Sequence, residues 1–346
     1  MSMPSWTEEL IGTKIPANGG RFTANGVSLV REGNILRAQN ILSSSQSQTS
    51  QTFAYKWKRR DTFEGAVSEN MRRWLIEKYG DVWEAPWLKD YGDHPILLDA
   101  GCGGGMSGLE LWGPVMPRLR YVGVDISSAI DVARDRFRER GLSGLFIQSD
   151  LQQIPLPENS VDIIFSEGAL HHTDNTRAAL KNVCRYLRRG GRILFYVYRK
   201  KGPIREFTDD YLRDRLQHMA PEEAWAALMP LTKLGKVLGE LNLEINVPED
   251  IELLDIPAGK TDIQRLFYWH IFKAFYRPDM TLDELNHMNF DWYTPRNAHR
   301  QTPEQVRAWC SEIALQIEHE RIEQAGITII ARKRGHLEGG EKTPRA

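Results

Sequence analysis

Three aspartates and a glutamate stand where a ligand could be held: Asp99, Asp125, Asp150 and Glu167 each end or follow a short apolar run. After Asp99 and Ala100 comes Gly101-Cys102-Gly103-Gly104-Gly105-Met106-Ser107-Gly108, a loop dense enough in glycine for the backbone to turn sharply and approach a ligand. Gly103, Gly105 and Gly108 fit the dinucleotide fingerprint letter for letter. Asp99 argues against a dinucleotide, because a carboxylate at the strand end repels a pyrophosphate and attracts an ammonium group. Asp125, closing Tyr121-Val122-Gly123-Val124, is suited to accept hydrogen bonds from both hydroxyls of a ribose. These acids ask for a ligand with an amino group, a ribose and no phosphate; a phosphate-binding corner or a structural turn is the alternative. Further along, His171 and His172 follow the apolar run Val161–Ser166. Histidine titrates near neutrality and can take a hydroxyl proton. The alternative for either ring is simple packing beneath the ligand. Glu167, just before them, could orient an amine.

The order of these motifs over residues 95 to 200 resembles the class I S-adenosylmethionine-dependent methyltransferases, in the branch that acts on small molecules. Phe146–Leu151 resembles the family's third strand and its acid, Val161–Ser166 the fourth, and Gly190-Gly191 the entry to a fifth strand running from Arg192 to Tyr198. The resemblance implies S-adenosyl-L-methionine as cofactor, with Asp150 facing the adenine amino group. The implied cofactor set is Asp99, Gly101, Gly103, Gly105, Asp125, Ile126, Asp150, Leu151 and Glu167, joined by Tyr55 and Trp57 from an N-terminal arm that closes as a lid. His171, and after it His172, are the candidate catalytic bases. The implied reaction is direct in-line methyl transfer to oxygen or nitrogen of a small metabolite, with alignment and water exclusion lowering the barrier. An RNA or protein methyltransferase and a non-catalytic S-adenosylmethionine-binding protein are the alternatives.

Composition narrows the partners. A formal charge of −1 over 346 residues argues against a polyanion partner, because phosphate binding is driven by clustered Lys and Arg. The densest basic run, Tyr55–Arg60, reads as a solvated or ligand-facing segment. Cys102, Cys184 and Cys310 are widely separated and suggest neither a zinc site nor a disulfide framework. No apolar stretch approaches the ~20 residues of a membrane span, and the first residues lack the pattern of a signal peptide. The expectation is a cytoplasmic enzyme with a small-molecule acceptor, no nucleic acid, no membrane and no metal, compatible with a homodimer.

The elements that must position these groups suggest an α/β fold. It is a doubly wound Rossmann-like seven-stranded sheet with a helical cap insertion and an N-terminal arm. Residues 1–61 read as a hairpin over Arg21–Arg37, a Ser/Gln/Thr-rich linker over Ser43–Gln51 and the lid arm. Residues 62–200 form the core, opening with a helix over Phe63–Tyr79. Residues 201–300 form a mostly helical substrate cap, with helices expected over Tyr211–Met219, Pro221–Met229 and Leu231–Leu241. In it, Leu266–Tyr276 is apolar nearly all round and should be buried or form a pocket wall. His287–Pro295 reads as a loop, and Asp291, Tyr293, His299 and Arg300 are the candidate acceptor contacts, Arg300 suiting a carboxylate or phosphate. Residues 301–334 supply the last helix, capped by Thr302 and Pro303, and the terminal hairpin. Residues 335–346 read as a disordered tail.

Overall fold

A computed structural model describes residues 3–39, 41–62 and 66–335, without the side chains of residues 66–69. Of the tail expected over 335–346, all but Gly335 lies outside the described residues.

The chain opens with α1 (Thr7–Ile11) and a meander of three strands, β1 (Arg21–Ala24), β2 (Val27–Glu32) and β3 (Ile35–Ala38), followed by α2 (Ser44–Lys58) and α3 (Ala66–Tyr79). Alternating strands and helices follow: β4 (Ile96–Ala100), α4 (Met106–Trp112), β5 (Arg120–Asp125), α5 (Ala129–Glu139), β6 (Leu145–Gln148), β7 (Val161–Glu167), α6 (Thr176–Tyr186) and β8 (Leu187–Tyr198). Two helices, α7 (Pro203–Leu216) and α8 (Pro221–Glu240), lead to a small ribbon of β9 (Glu244–Val247) and β10 (Gly259–Asp262). Then come α9 (Ile263–His270), α10 (Leu282–Tyr293), α11 (Pro303–Glu312), β11 (Leu315–Ile322) and β12 (Gly326–Lys333).

The main sheet runs β1-β2-β3-β6-β5-β4-β7-β8-β12-β11. The pairs from β3 across to β8 are parallel, and the meander and terminal hairpin are antiparallel. This is the doubly wound α/β sheet, with ten strands rather than the seven expected. The extra three are the N-terminal segment read as a small hairpin. Ile35 and Leu36 of β3 pair with Phe146 and Ile147, covering the free edge of β6. Both side chains are fully buried, one on each face of the sheet.

Successive strand residues serve opposite faces. Leu98, Val122, Val124 and Ile147 pack with Leu180 and Val183 of α6 and Val306 of α11. Leu97, Tyr121, Ile163 and Phe165 pack with Leu75 of α3, Leu109 of α4 and Phe137 of α5. With apolar groups needed on both sides, the central strands read as continuous apolar runs.

Three local expectations are corrected. Residues 43–51 are not a linker: Ser43 caps α2 by accepting the Gln46 N–H at 3.0 Å, and the helix buries Gln46, Thr49, Thr52 and Lys56. Pro230 does not split α8. Asn286 Nδ2 donates to Trp225 O at 3.0 Å and the Thr232 hydroxyl donates to Asn286 Oδ1 at 2.6 Å, so α10 fastens α8 on both sides of the proline. Residues 287–293 are not a loop but the last turns of α10, whose N-terminus carries the reciprocal Thr281–Glu284 capping box.

Candidate functional site

The carboxyl ends of β4, β5, β6 and β7 open onto a cavity of about 690 Å³. Asp99, Gly101, Gly103, Asp125, Ile126, Asp150, Leu151 and Glu167 all line it. That is the crevice at which open α/β sheets bind ligands. Gly105 does not reach the cavity; with φ 75° it makes the left-handed entry into α4. Gly101 has φ 81°, and a Cβ there would lie 2.2 Å from the Ala169 Cβ. At Gly103 the indole of Trp57 lies so close that a Cβ would stand 2.5 Å from its Nε1. Glycine is therefore required by close approach as well as by backbone angle.

Asp125 is held from three directions. Gly103 N–H donates to Oδ2 at 2.8 Å, and the Ser127 N–H and hydroxyl donate to Oδ1 at 2.8 and 2.6 Å. Burial nevertheless pushes its carboxyl above the usual range, against the pull of those bonds. Asp99 receives the Tyr121 hydroxyl at 2.8 Å, and burial pushes its carboxyl up to about 7. Asp150 accepts the Gln152 N–H at 2.8 Å on Oδ1. Glu167 is ion-paired with the fully buried Lys78 and receives the Tyr79 hydroxyl at 2.6 Å on Oε2.

Helix α2 forms one wall. Gln46, Thr49, Phe53, Lys56 and Trp57 share the helical stripe that lines the cavity. Tyr55 does not belong to it: its ring packs away, against Phe290 at 5.5 Å and Trp225 at 6.3 Å. A sequence read with strand-like alternation groups Phe53, Tyr55 and Trp57, whereas the helical turn separates them. Lys56 Nζ meets Asp291 Oδ1 of α10 at 2.6 Å. Gln48 Nε2 donates to Thr294 O at 3.0 Å, and Gln48 Oε1 accepts the Arg296 N–H at 2.8 Å. The serine, glutamine and threonine content that looks like linker composition thus supplies hydrogen bonds at a polar interface.

The two histidines separate. His172 lines the cavity, with Nδ1 2.6 Å from Asn297 O; the ring therefore carries its proton on Nδ1. Burial holds it down at about 4, so it is neutral at physiological pH. His171 does not line the cavity. It is fully buried behind the wall, stacks on Tyr198 at 3.7 Å, and neither ring nitrogen has a hydrogen-bond partner among the described residues. Burial, then the neighbouring His172, keeps it well below its ordinary value. The expectation that His171 is the leading base is corrected: its ring packs, and His172 is the one at the site.

Of the four acceptor candidates, only Asp291 lines the cavity. Tyr293 is fully buried and its hydroxyl accepts the Lys273 N–H at 2.6 Å. His299 donates its backbone N–H to His171 O at 2.9 Å. Arg300 is occupied by Glu206 and Asp210 at 2.9 and 2.6 Å. The structure instead lines the cavity with Trp74, Tyr196, Tyr198, Tyr268, Phe275 and Trp292, together with Lys273. Tyr196 and Tyr198 were legible as a Tyr-x-Tyr pair ending a strand. Lys273 was legible as the lysine inside the apolar run Leu266–Tyr276. Among the described residues, no group of three or more His, Cys, Asp or Glu is arranged to hold a metal ion, and no helix is long and apolar enough to cross a membrane.

Comparison with known proteins agrees with the geometry. A family model described as a methyltransferase domain matches residues 98–195. An uncharacterized methyltransferase of Bacillus subtilis is 33% identical over 172 residues, covering 47% of this chain and 67% of the relative. A malonyl-[acyl-carrier protein] O-methyltransferase of Serratia marcescens is 32% identical over 139 residues, covering 40% of this chain and 49% of the relative. A ubiquinone/menaquinone biosynthesis C-methyltransferase of Ectopseudomonas mendocina is 31% identical over 109 residues, covering 31% and 43%. The chain spans about half the length of these last two relatives. With the glycine loop, the acid-tipped strands and this likeness together, the chain belongs to the class I S-adenosylmethionine-dependent methyltransferases.

Proposed function

We propose that this chain transfers a methyl group from S-adenosylmethionine to an oxygen or nitrogen of a small acceptor held in the aromatic half of the cavity. The carrying observation is continuity: one cavity runs from the acids at the strand ends to a chamber walled by aromatic rings and Lys273.

The residues at the sheet end fit the cofactor. Asp125, with three of its lone-pair sites taken by donors on the protein side, keeps one on Oδ2 for a ribose hydroxyl. Asp99, raised to about 7 by burial, is drawn back to carboxylate by an ammonium partner, so the two groups match in charge. Asp150 and Leu151 stand where an adenine edge and face would lie, and Trp57 covers the loop at Gly103. S-adenosylmethionine, when bound, supplies an electrophilic methyl group whose bond electrons leave with the sulfonium sulfur.

What this chain adds is alignment and dryness. Helix α2, tied to α10 by the Lys56–Asp291 pair, walls the cavity on the cofactor side and keeps water from the reacting atoms. His172, held neutral near 4, can accept a hydrogen bond but is a weak proton acceptor at neutral pH. The acceptor therefore brings its own nucleophile, as an amine or an already ionised oxygen.

The test is incubation with methyl-labelled S-adenosylmethionine and a panel of phenols, aromatic carboxylates and amines, with bulk tRNA and casein in parallel. Label appearing in a small acceptor, on oxygen or nitrogen by mass spectrometry, is the expected result. Label in tRNA or casein alone, or on carbon, would contradict it.

A further inference from the structure

Lys273 follows α9, is only 5% exposed, and lines the cavity. Among the described residues its ammonium group makes no hydrogen bond and no ion pair; it lies over the face of Trp292, 4.6 Å away. Other deeply buried cations nearby are matched. Lys56 has Asp291, Lys78 has Glu167, Arg205 has Asp209, Arg213 has Asp210 and the Trp292 carbonyl, and Lys201, on the other side of Trp292, donates to the Arg199 and Ala325 carbonyls. The charged groups that act on Lys273 are Asp291 from α10, Arg205 and Asp209 from α7, and Lys56 from α2. Both of those acids are already bonded to other cations. A buried ammonium without a counter-charge is costly, and burial accordingly lowers Lys273 to about 7. Arg265 lines the same cavity, and Arg277, which also lines it, is paired with Asp279 at 2.8 Å. The aromatic walls around it favour a flat ligand.

Taking the cavity as the methyl-acceptor site proposed above, we propose that Lys273 binds an anionic oxygen, carried by a flat acceptor held against these rings. The acceptor supplies the counter-charge that the fold leaves out, and Lys273 fixes which end of it faces the cofactor.

The experiment uses the full chain saturated with S-adenosylhomocysteine, titrated with 2-naphthoate and with its neutral isostere 2-naphthamide. Naphthoate should bind at least about tenfold more tightly, as for a hydrogen bond to a charged group. The preference should vanish in Lys273→Met and return in part in Lys273→Arg. In the wild type, naphthoate affinity should fall as pH rises from about 7 to 9, because a lysine lowered by burial loses its proton there, and in Lys273→Arg it should stay flat. A purely packing role for Lys273 would not produce that difference between lysine and arginine. Equal affinity for the two probes, binding by neither, or a preference surviving in Lys273→Met would overturn the inference. S-adenosylhomocysteine is titrated first in each protein: its failure to bind the wild type sinks the methyltransferase reading itself, while its retention in Lys273→Met shows an intact fold.

Discussion

Replacing Lys56 with methionine keeps an apolar stem but removes the ammonium that lies over the Trp57 ring at 4.4 Å and meets Asp291 at 2.6 Å. The two side chains are 8% and 19% exposed, so the pair is mostly shielded from water and salt. Such a charge-assisted hydrogen bond contributes about 1.5–3 kcal/mol, and truncating one partner costs more because the other stays buried and charged. The pH dependence gives a second handle. Burial alone would raise the Asp291 carboxyl, but Lys56, His172 and Lys273 together pull it down to about 2. A carboxyl depressed on folding stabilises the native state above its unfolded value near 4, and that contribution is lost as pH falls through about 2. The difference is worth about 2 kcal/mol at neutral pH. Urea unfolding of the wild type, Lys56→Met, Asp291→Asn and the double variant should give a coupling energy of about 1.5–3 kcal/mol, with the loss between about pH 4 and 2 blunted in Lys56→Met. S-adenosylhomocysteine should bind more weakly to both single variants, since the pair ties α2 to α10. Additive single effects, with an unchanged acid limb, would refute the reasoning.

Asp125→Ala should weaken S-adenosylhomocysteine binding by about 1.5–3 kcal/mol, and calorimetry returning the wild-type affinity would remove Asp125 from the ribose site. Gly101→Ala forces a Cβ within 2.2 Å of Ala169 at φ 81°, so it should lower stability by about 1–3 kcal/mol and depress cofactor affinity, read by thermal melting and the same titration. Because His172 is held neutral near 4, kcat at saturating cofactor and acceptor should show no limb centred near the ordinary histidine value of about 6.5; such a limb, lost in His172→Gln, would restore a histidine base.

The sheet and the cofactor half of the cavity were legible because their signals are local. Each parallel strand is a continuous apolar run, its acid sits at the run's end, and the glycines mark close backbone approach. Other parts depended on partners far along the chain. Nothing near Ile35 and Leu36 reveals that they pair with β6. Helix α2 buries Gln46, Thr49 and Lys56 along the cavity wall and its polar contacts with Asp291, Thr294 and Arg296 rather than in an apolar core, so its sequence carries no apolar stripe. The end of α10 resembled a loop because of Asn289 and Pro295. Asn286 and Asn289 are buried and satisfied by Thr232 and the Phe275 N–H, and the half-buried Asp291 is held by Lys56. The capping box at Thr281 and Glu284 was the available sign of a helix. Arg300 looked like an anion receptor, but Glu206 and Asp210, some ninety residues earlier, had already taken it.

Isothermal titration of the purified chain with S-adenosylhomocysteine, and with NAD in a parallel cell, tests the central claim most directly. Saturable one-site binding of S-adenosylhomocysteine and no binding of NAD is the result expected from Asp99 and Asp125 at the mouth of the glycine loop. Binding of NAD alone would mean that the loop accepts a pyrophosphate despite Asp99, and would contradict the account.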